Sequence, residues 1–353
     1  MGLNVKQVSK WMEGSGPQAD IVISSRIRLA RNLKGIPFPN RMNEAEAKTV
    51  VHQVAATIQA APLIQAVGQL KLYPLGELSP LERQILVEKH LISPDLAGAG
   101  EAGAVVLRED EAVSIMVNEE DHIRLQCLLP ALMLHEAWRL ANVVDDALEN
   151  EIDYAFDQTR GYLTACPTNV GTGLRASTML HMPALVLTKQ AGHVLSALTK
   201  VGLAVRGLYG EGTEARGNIF QISNQITMGR SEEERINNLS AITSRLADQE
   251  REARLLLRKQ SRWQLEDRVG RAYGTLANAR ILNSQEALQL ISDVRLGVDM
   301  KILPDLDQRL LNKLMVFIQP AFLQYTAGKE MSPFERDVHR AAVVRELIAG
   351  HAK

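Results

Sequence analysis

Residues 166–177 read CPTNVGTGLRAS and bring a thiol, an amide, two glycines and an arginine into one short loop. Gly171 and Gly173 would let backbone amides approach phosphate oxygens, and Arg175 offers a planar guanidinium fork to the same oxygens. A surface turn is the alternative, because Pro and Gly mark most loops. Other arginine-bearing segments that meet this loop would favour a phosphate site.

Length and composition describe an ordinary globular protein. With 353 residues, the chain exceeds the ~250–300 residues at which single cores stop growing, which predicts about two domains. Hydrophobic residues make up 46% of the chain and the net charge is −1. The near-neutral charge argues against bulk binding of nucleic acid, and it leaves a local basic cluster open.

The cysteines and the apolar runs predict a cytoplasmic protein with no membrane association. Cys127 and Cys166 are far apart and form no CxxC or Cys/His group. A disulfide framework or a structural zinc site is therefore disfavoured, and a reducing compartment is indicated. No apolar run approaches the ~18 residues of a membrane span, and the N-terminus lacks the apolar core of a signal peptide.

The hydrophobic periodicity predicts an α+β domain followed by an all-helical one. Predicted strands cover residues 21–23, 104–107, 113–117, 162–165, 203–205 and 219–225, and predicted helices cover 1–19, 44–59, 79 to about 90, 125–150 and 183–201. A capping box at Ser231 and Glu234 marks the change of character, and another at Ser332 and Glu335 starts the last helix. We therefore place the domains at residues 1–231 and 232–353.

Arginines and carboxylates stand next to two of these strands. In SSRIRLAR, residues 24–31, Arg26 and Arg28 would share one face of an extended segment. That face is either an anion site or a solvated charged edge. In NEEDHIR, residues 118–124, three consecutive carboxylates repel one another unless a guanidinium or a metal-bound phosphate relieves them, or unless they start a helix.

Four of these segments, taken together and in this order, resemble the phosphagen (ATP:guanido) kinase family. The loop 166–177 is similar to the family signature loop, residues 24–31 to its phosphate-binding arginine pair, and residues 118–124 to the segment with its catalytic carboxylate. RGLYGEG, residues 206–212, followed by ISN, is similar to its nucleotide-clasping loop. The resemblance covers about residues 20–230 and implies an antiparallel sheet flanked by helices.

Within that family the chain resembles the bacterial protein-arginine kinases. It begins almost at the catalytic domain, its last third is helical, and RDVHRA, residues 336–341, is similar to their RDxxRA motif. Without the helical domain that precedes the catalytic domain in creatine and arginine kinases, the guanidinium site would be open to arginine on a protein surface. A small-molecule guanidino kinase and a non-catalytic reader of phosphoarginine are the alternatives.

The resemblance implies a binding site for ATP, with Mg²⁺ held mainly through the phosphates. Its expected members are Ser24, Ser25, Arg26, Ile27, Arg28, His90, Arg124, Arg175, Ala176, Ser177, Thr178, Met179, Arg206, Gly207, Leu208, Tyr209 and Gly210. The five arginines would surround the phosphates and stabilise the charge of the in-line transition state. For His90, the alternative to a nucleotide contact is a structural role in the core or as a helix cap. Met179 stands where creatine kinases have a histidine, which leaves the adenine contacts open.

The acceptor is a guanidinium that keeps its proton in proteins, so a base must pull as the N–P bond forms. The resemblance makes Glu120 that base, and Glu211 would hold the guanidinium from the other side. Cys166 would lie against the guanidinium as a thiolate. The alternative is that Cys166 is simply a small buried residue, as most free cysteines are. Asp121 would orient Arg124 or a magnesium-bound water. Glu119 is expected to be a helix cap, and Asn169 to brace the loop.

The resemblance also implies a phosphoarginine pocket and a set of partners. Arg336 and Arg340 lie one turn apart on a helix and would grip a phosphoryl group, Asp337 would pair with the guanidinium, and Ala341 completes the motif. Salt bridges to Glu335 or Glu346 are the alternative. The implied setting is an allosterically regulated stress response that marks proteins for regulation or degradation. The implied partners are the repressor CtsR, the zinc-binding activator McsA, the ClpC unfoldase and a second copy of the chain in a homodimer.

Overall fold

The structure is a computed structural model that describes residues 3–207, 215–303 and 306–350. In this part of the chain ten strands are found. They are β1 (Val22–Arg31), β2 (Leu70–Pro74), β3 (Ala104–Arg108), β4 (Val113–Val117), β5 (Ile123–Pro130), β6 (Phe156–Asp157), β7 (Gly161–Tyr162), β8 (Leu174–His181), β9 (Leu203–Gly207) and β10 (Ile219–Asn224).

The same residues contain thirteen α-helices. They are α1 (Glu44–Thr57), α2 (Ala61–Val67), α3 (Pro80–Glu88), α4 (Pro94–Gly98), α5 (Leu134–Glu149), α6 (Pro183–Leu187), α7 (Ala191–Lys200), α8 (Glu232–Gln260), α9 (Arg262–Asn278), α10 (Ser284–Asp299), α11 (Gln308–Phe317), α12 (Pro320–Ala327) and α13 (Pro333–Ala349). None of these described helices alone has the length and apolarity to cross a membrane, although α1 and α2, bent by 67°, would meet both measures as a pair.

Eight strands form one antiparallel sheet in the order β2-β3-β4-β5-β1-β8-β10-β9, and β6 and β7 form a separate ribbon. Strand β1 lies in the middle, between β5 and β8. Its alternating pattern gives the sheet two unlike faces. Ile27 and Leu29 pair with Cys127 and Leu125 of β5, and all four are buried in the core that α5 covers. The predicted α+β class with an antiparallel sheet is therefore confirmed.

The helical part begins at the predicted capping box, where Ser231 accepts a hydrogen bond from the backbone of Glu234. Helix α8 packs Ile236 and Leu239 into the core of the sheet. Helices α9 to α13 contribute most of a second core, which also holds Trp11 and other residues from the N-terminal half. Only helices follow residue 231 in the described part, as predicted. The boundary between residues 231 and 232 stays a prediction.

Several predicted elements were wrong in extent or type. The helix over 125–150 is wrong in its first part, because residues 123–130 form β5 and the helix α5 starts at Leu134. The described part of the segment 1–19, residues 3–19, contains only a single 3-10 turn, Lys10–Glu13. The helix over 183–201 is broken at Lys189, whose φ is 60°. The strand over 162–165 is reduced to its first residue, the end of β7.

Candidate active site

One face of the sheet gathers arginines from four strands: Arg26 and Arg28 of β1, Arg124 of β5, Arg175 of β8 and Arg206 of β9. Directly opposed residues of antiparallel strands point to the same side of a sheet. Arg28 lies opposite Arg175, and Arg124 lies opposite residue 30, which shares the side of Arg28. The structure thus brings together the five arginines that the resemblance implied.

These arginines repel one another. Burial, followed by the charges of Arg124, Arg175 and Arg206, lowers the pKa of Arg26 to about 10. Burial and the neighbouring guanidinium groups lower the pKa of Arg28 well below its ordinary value, and its buried Nε has no hydrogen-bond partner among the residues that the structure describes. A cluster of like charges that raises its own energy in this way is stabilised by a bound polyanion.

Polar neighbours hold Arg26 in place. Its Nη2 donates to Gln221 Oε1 at 2.9 Å, and its Nε donates to Ser177 Oγ at 3.3 Å. Gln221 belongs to β10 and was not among the expected site residues. Its position opposite Arg206 and Met179 follows from strand pairing, which no local signal in the sequence shows.

A cleft of about 1190 Å³ opens over the arginine face. Arg26, Arg28, Arg124 and Arg206 line its floor. The opposite wall comes from α3, α4 and α12. The sequence analysis missed this wall, because α12 reaches the cleft only through the packing of the helical part against α3.

Strand alternation removes four residues from the expected nucleotide contacts. The side chains of Ser25, Ile27, Ala176 and Thr178 point to the other face of the sheet. Ser25 donates to the carbonyl of Ala131, Thr178 bonds to Thr243, and the other two are buried in the core. Their inclusion in the site is therefore corrected.

The remaining expected site residues differ in where they lie. Ser24, Ser177 and Met179 line a small hollow beside His90 and Gln221. Gly207 ends β9. Four further predicted residues, Leu208, Tyr209, Gly210 and Glu211, lie outside the described residues.

His90 lines the cleft rather than the core. Its φ of 61° turns the chain after α3, and its ring packs against Trp11 at 5.6 Å between ring centroids. Gln126 Nε2 donates to its carbonyl at 2.8 Å. Burial, together with the charge of Arg26, lowers the pKa of His90 to about 4, so that the imidazole is neutral at pH 7.

The acidic residues 119–121 form the turn between β4 and β5 and not the start of a helix. Glu119 is therefore no helix cap: both of its carboxylate oxygens accept from Arg124 Nη1, at 2.5 and 2.6 Å. Burial raises the pKa of Glu119, but Arg124, Ser93 and the backbone of Glu120 together outweigh burial, and the net shift is downward. Glu119 is thus the carboxylate that orients Arg124.

Asp121 is held by polar groups of two other segments. It is 2% exposed, and its Oδ1 accepts from Asn32 Nδ2 and from the backbone of Ala165, both at 2.7 Å. Burial raises its pKa. These bonds tie the acidic turn to the end of β1 and to the loop of Cys166, and the expected role of Asp121 toward Arg124 or magnesium stays a prediction.

Glu120 and Cys166 lie near Arg175. Burial, followed by the charges of Arg206 and Arg124, lowers the pKa of Arg175, and the neighbouring Cys166 and Glu120 oppose that shift. Glu120 is exposed, and its Oε2 accepts from Asn169 Nδ2 at 3.5 Å. Cys166 is partly exposed, with its Sγ 3.0 Å from Thr168 Oγ1. A small pocket of about 370 Å³ adjoins Glu120.

The packing of the loop requires both of its glycines. Gly171 has a φ of +111°, and a Cβ there would lie 2.6 Å from the carbonyl oxygen of Thr227. Gly173 has a φ of +64°, and its Cβ would lie 2.6 Å from the carbonyl oxygen of Ala30. Thr227 also donates to two carbonyls of the loop. The approach of backbone amides to phosphate stays a prediction, and Arg175 is a residue of strand β8.

We expect Gly171→Ala to destabilise the protein by about 2–3 kcal/mol, from the positive φ and the contact with Thr227. Denaturant unfolding measures this loss. Gly192→Ala is the matched control, because a Cβ at this position of α7 meets nothing within 4 Å. Equal midpoints for Gly171→Ala and the unaltered protein would contradict the packing role.

The RDxxRA segment lies on α13. Arg340 is buried and donates to the carbonyls of Ile318 at 2.9 Å and Leu282 at 2.8 Å, and it pairs with Asp337. Arg336 is half-buried. Ala341 is fully buried in the apolar core and has no surface to offer a ligand, which corrects its place among the expected contacts.

The alternative salt bridges of this segment are not formed in the described part of the chain. Glu335 pairs with Lys329, and Arg340 pairs with Asp337 on its own helix.

Among the described residues no group of three or more His, Cys, Asp or Glu side chains is arranged to hold a metal ion.

Two family models match the chain. The ATP:guanido phosphotransferase C-terminal catalytic domain matches residues 49–253. The protein-arginine kinase McsB C-terminal domain matches residues 262–353. The first match contains the acidic turn, the loop and three of the four strands that carry the arginine face, β5, β8 and β9.

Whole-chain relatives and a solved structure agree with these models. A protein-arginine kinase of Moorella thermoacetica is 80% identical over 99% of this chain and 100% of the relative. That of Bacillus subtilis is 51% identical over 97% of this chain and 93% of the relative. The crystal structure of lombricine kinase is similar with a TM-score of 0.56 and 25% identity, over 71% of this chain and 73% of that one. The chain belongs to the ATP:guanido phosphotransferase family, in the group of protein-arginine kinases.

Proposed function

We propose that this protein transfers the γ-phosphoryl group of ATP to arginine side chains of proteins. One observation carries the proposal: five arginines share one face of the sheet, where Arg28 lies opposite Arg175, and Asn169, in the loop before Arg175, donates to Glu120 beside that face. A guanidinium beside Glu120 would therefore meet the terminal phosphate over Arg175.

The arginine face would bind the triphosphate and stabilise the charge that the transferring group spreads over its oxygens. Glu119 holds Arg124 in the orientation that this role needs. We propose that Mg²⁺ enters with ATP and is held mainly through the phosphates, because Glu119 and Asp121 already bind protein groups. When bound, it would offset phosphate charge.

On the acceptor side, Glu120 would take the proton as the N–P bond forms. Asn169 donates to Glu120 and would hold its carboxylate toward the guanidinium. Cys166 would lie against the guanidinium as a thiolate. Glu211 would bind the guanidinium from the other side, as the family resemblance implies.

The test compares two acceptors. The enzyme is incubated with ATP and Mg²⁺, once with an unstructured arginine-rich protein and once with free arginine, and acid-labile phosphate on arginine is measured. We expect transfer to the protein. Phosphate found on free arginine alone would favour a small-molecule guanidino kinase, and phosphate on neither would contradict the proposal.

We propose a phosphoarginine-binding role for the RDxxRA segment, centred on Arg336. Arg336→Ala is expected to weaken binding of a phosphoarginine peptide about tenfold, since hydrogen bonds to charged groups contribute ~1.5–3 kcal/mol. The melting temperature of the Arg336→Ala variant should stay unchanged. Arg340→Ala should instead lower stability as well, because it leaves the carbonyls of Ile318 and Leu282 without their donor.

Titration with the labelled peptide and thermal unfolding measure the two effects. Arg271→Ala, at an exposed position of α9, is the control. Unaltered peptide affinity in Arg336→Ala would contradict the role.

We further propose the cytoplasmic stress-response setting that the resemblance implies. CtsR as a protein substrate, McsA as activator, ClpC as partner, allosteric regulation and the homodimer all stay predictions. Co-purification with each partner and the mass in solution would test them.

A further inference from the structure

Glu88, at the end of α3, joins the sheet part of the protein to its helical part. Its two carboxylate oxygens accept from the backbone N–H groups of Ala321, at 2.8 Å, and Phe322, at 3.0 Å. The residue is 9% exposed. A carboxylate from the first quarter of the chain thus binds the first turn of α12.

Helix α12 depends on this contact for its cap. Gln319 occupies the N-cap position but makes no side-chain cap hydrogen bond, and Pro320 follows at the first helical position. The N-terminal N–H groups of a helix need acceptors, and a negative charge there is favourable. Glu88 supplies both from another helix.

The capped turn is also a wall of the nucleotide cleft. Glu88, Gln319, Pro320 and Ala321 line the cleft that Arg26 and Arg28 line from below. The distance between α3 and α12 therefore sets the space that the cleft offers above the arginines.

Both ends of this contact are anchored. On the side of α3, the next residue, Lys89, forms a buried ion pair with Glu111, and His90 packs against Trp11. On the side of α12, Arg340 donates to the carbonyl of Ile318, just before the helix. Because both helices are held in this way, a change at Glu88 would shift the position of α12 relative to α3 rather than one side chain alone.

We propose that Glu88 is a positioning residue that holds α12 as the second wall of the nucleotide cleft and thereby sets the affinity for ATP. The proposal rests on the proposed function, in which ATP occupies this cleft. Glu88 itself takes no part in phosphoryl transfer.

The test is Glu88→Gln. A glutamine has one acceptor oxygen, and its amide group would face an N–H that it cannot accept from. We expect the KM for ATP, and the Kd for ATP measured by calorimetry, to rise about five-fold, the factor that corresponds to the loss of one helix cap. The kcat should stay within about two-fold, because the arginines and Glu120 are unchanged.

Stability separates positioning from a merely structural role. Burial raises the pKa of Glu88 to about 7. The folded state therefore gains stability as the carboxylate is protonated below pH 7 and loses it as the pH rises through 7. In Glu88→Gln the lost cap bond costs stability and the removed buried charge restores it, so the melting temperature at pH 8 should change little. Arg340 of α13 faces this carboxylate and opposes the shift.

Glu77→Gln, an exposed carboxylate just before α3, is the matched control and should change neither constant. Glu88→Asp, which keeps the charge but shortens its reach, serves if the glutamine variant does not fold, and it should raise both constants. An unaltered Kd for ATP in the folded variant would overturn the inference. If the unaltered protein phosphorylated no arginine, the proposed function would be overturned. The Kd for ATP of the Glu88→Gln variant would still test the role of Glu88.

Discussion

Glu120→Gln is expected to lower the kcat of arginine phosphorylation by about 10²–10⁴-fold, the usual contribution of a general base. Glutamine keeps the shape of the side chain and its hydrogen bond with Asn169, but it cannot take a proton from the guanidinium. The Kd for ATP should not change, because Glu120 faces the acceptor and not the cleft that the arginines line.

Single-turnover transfer to an arginine-rich protein measures the chemical step. Glu109→Gln, an exposed carboxylate in the turn between β3 and β4, is the control and should keep full activity. Full turnover of Glu120→Gln would show that another group accepts the proton.

Arg28→Ala is expected to lower kcat by about 10²–10³-fold, as the loss of one group that stabilises transition-state charge does. Arg28 shares the face of Arg26 and lies opposite Arg175, and its Nε has no hydrogen-bond partner among the described residues, which leaves this donor to a phosphate. Arg28→Lys should restore little activity, because an ammonium cannot reproduce the planar fork.

The same transfer assay, combined with ATP binding, measures this effect. Arg139→Ala, on α5 with a side chain that is 72% exposed, is the control. The Arg28→Ala variant should also be no less stable than the unaltered protein, because the substitution removes one charge from a cluster of arginines that repel one another. A variant that loses stability and keeps kcat would contradict the phosphate role.

Local patterns predicted the face of β1 correctly. Arg26 and Arg28 alternate with Ile27 and Leu29. Because successive side chains of any strand point to opposite faces, the face of each residue follows from the sequence without knowledge of the neighbouring strands. The same alternation, applied strictly, would have excluded Ser25 and Ile27 from the nucleotide site. The capping boxes at Ser231 and Ser332 were likewise correct, because a box is closed within one turn of helix.

The helix predicted over 125–150 failed at its start for a physical reason. Strand β5 lies between β1 and β4 in the sheet, and most of its residues are buried. A short apolar run of this kind has no periodicity that separates a strand from a buried helix. The helix cap expected of Glu119 failed with it, because no helix begins at the acidic turn.

The sequence by itself determined the family, the α+β class and most of the residue types of the site, because motifs, alternation and caps are written within a few consecutive residues. Only the tertiary structure decided which groups touch. It paired Glu119 with Arg124, placed Thr227 against Gly171, and set Glu88 on α12 across 233 residues of chain. Such contacts depend on how distant elements pack, and no local pattern of residues encodes that.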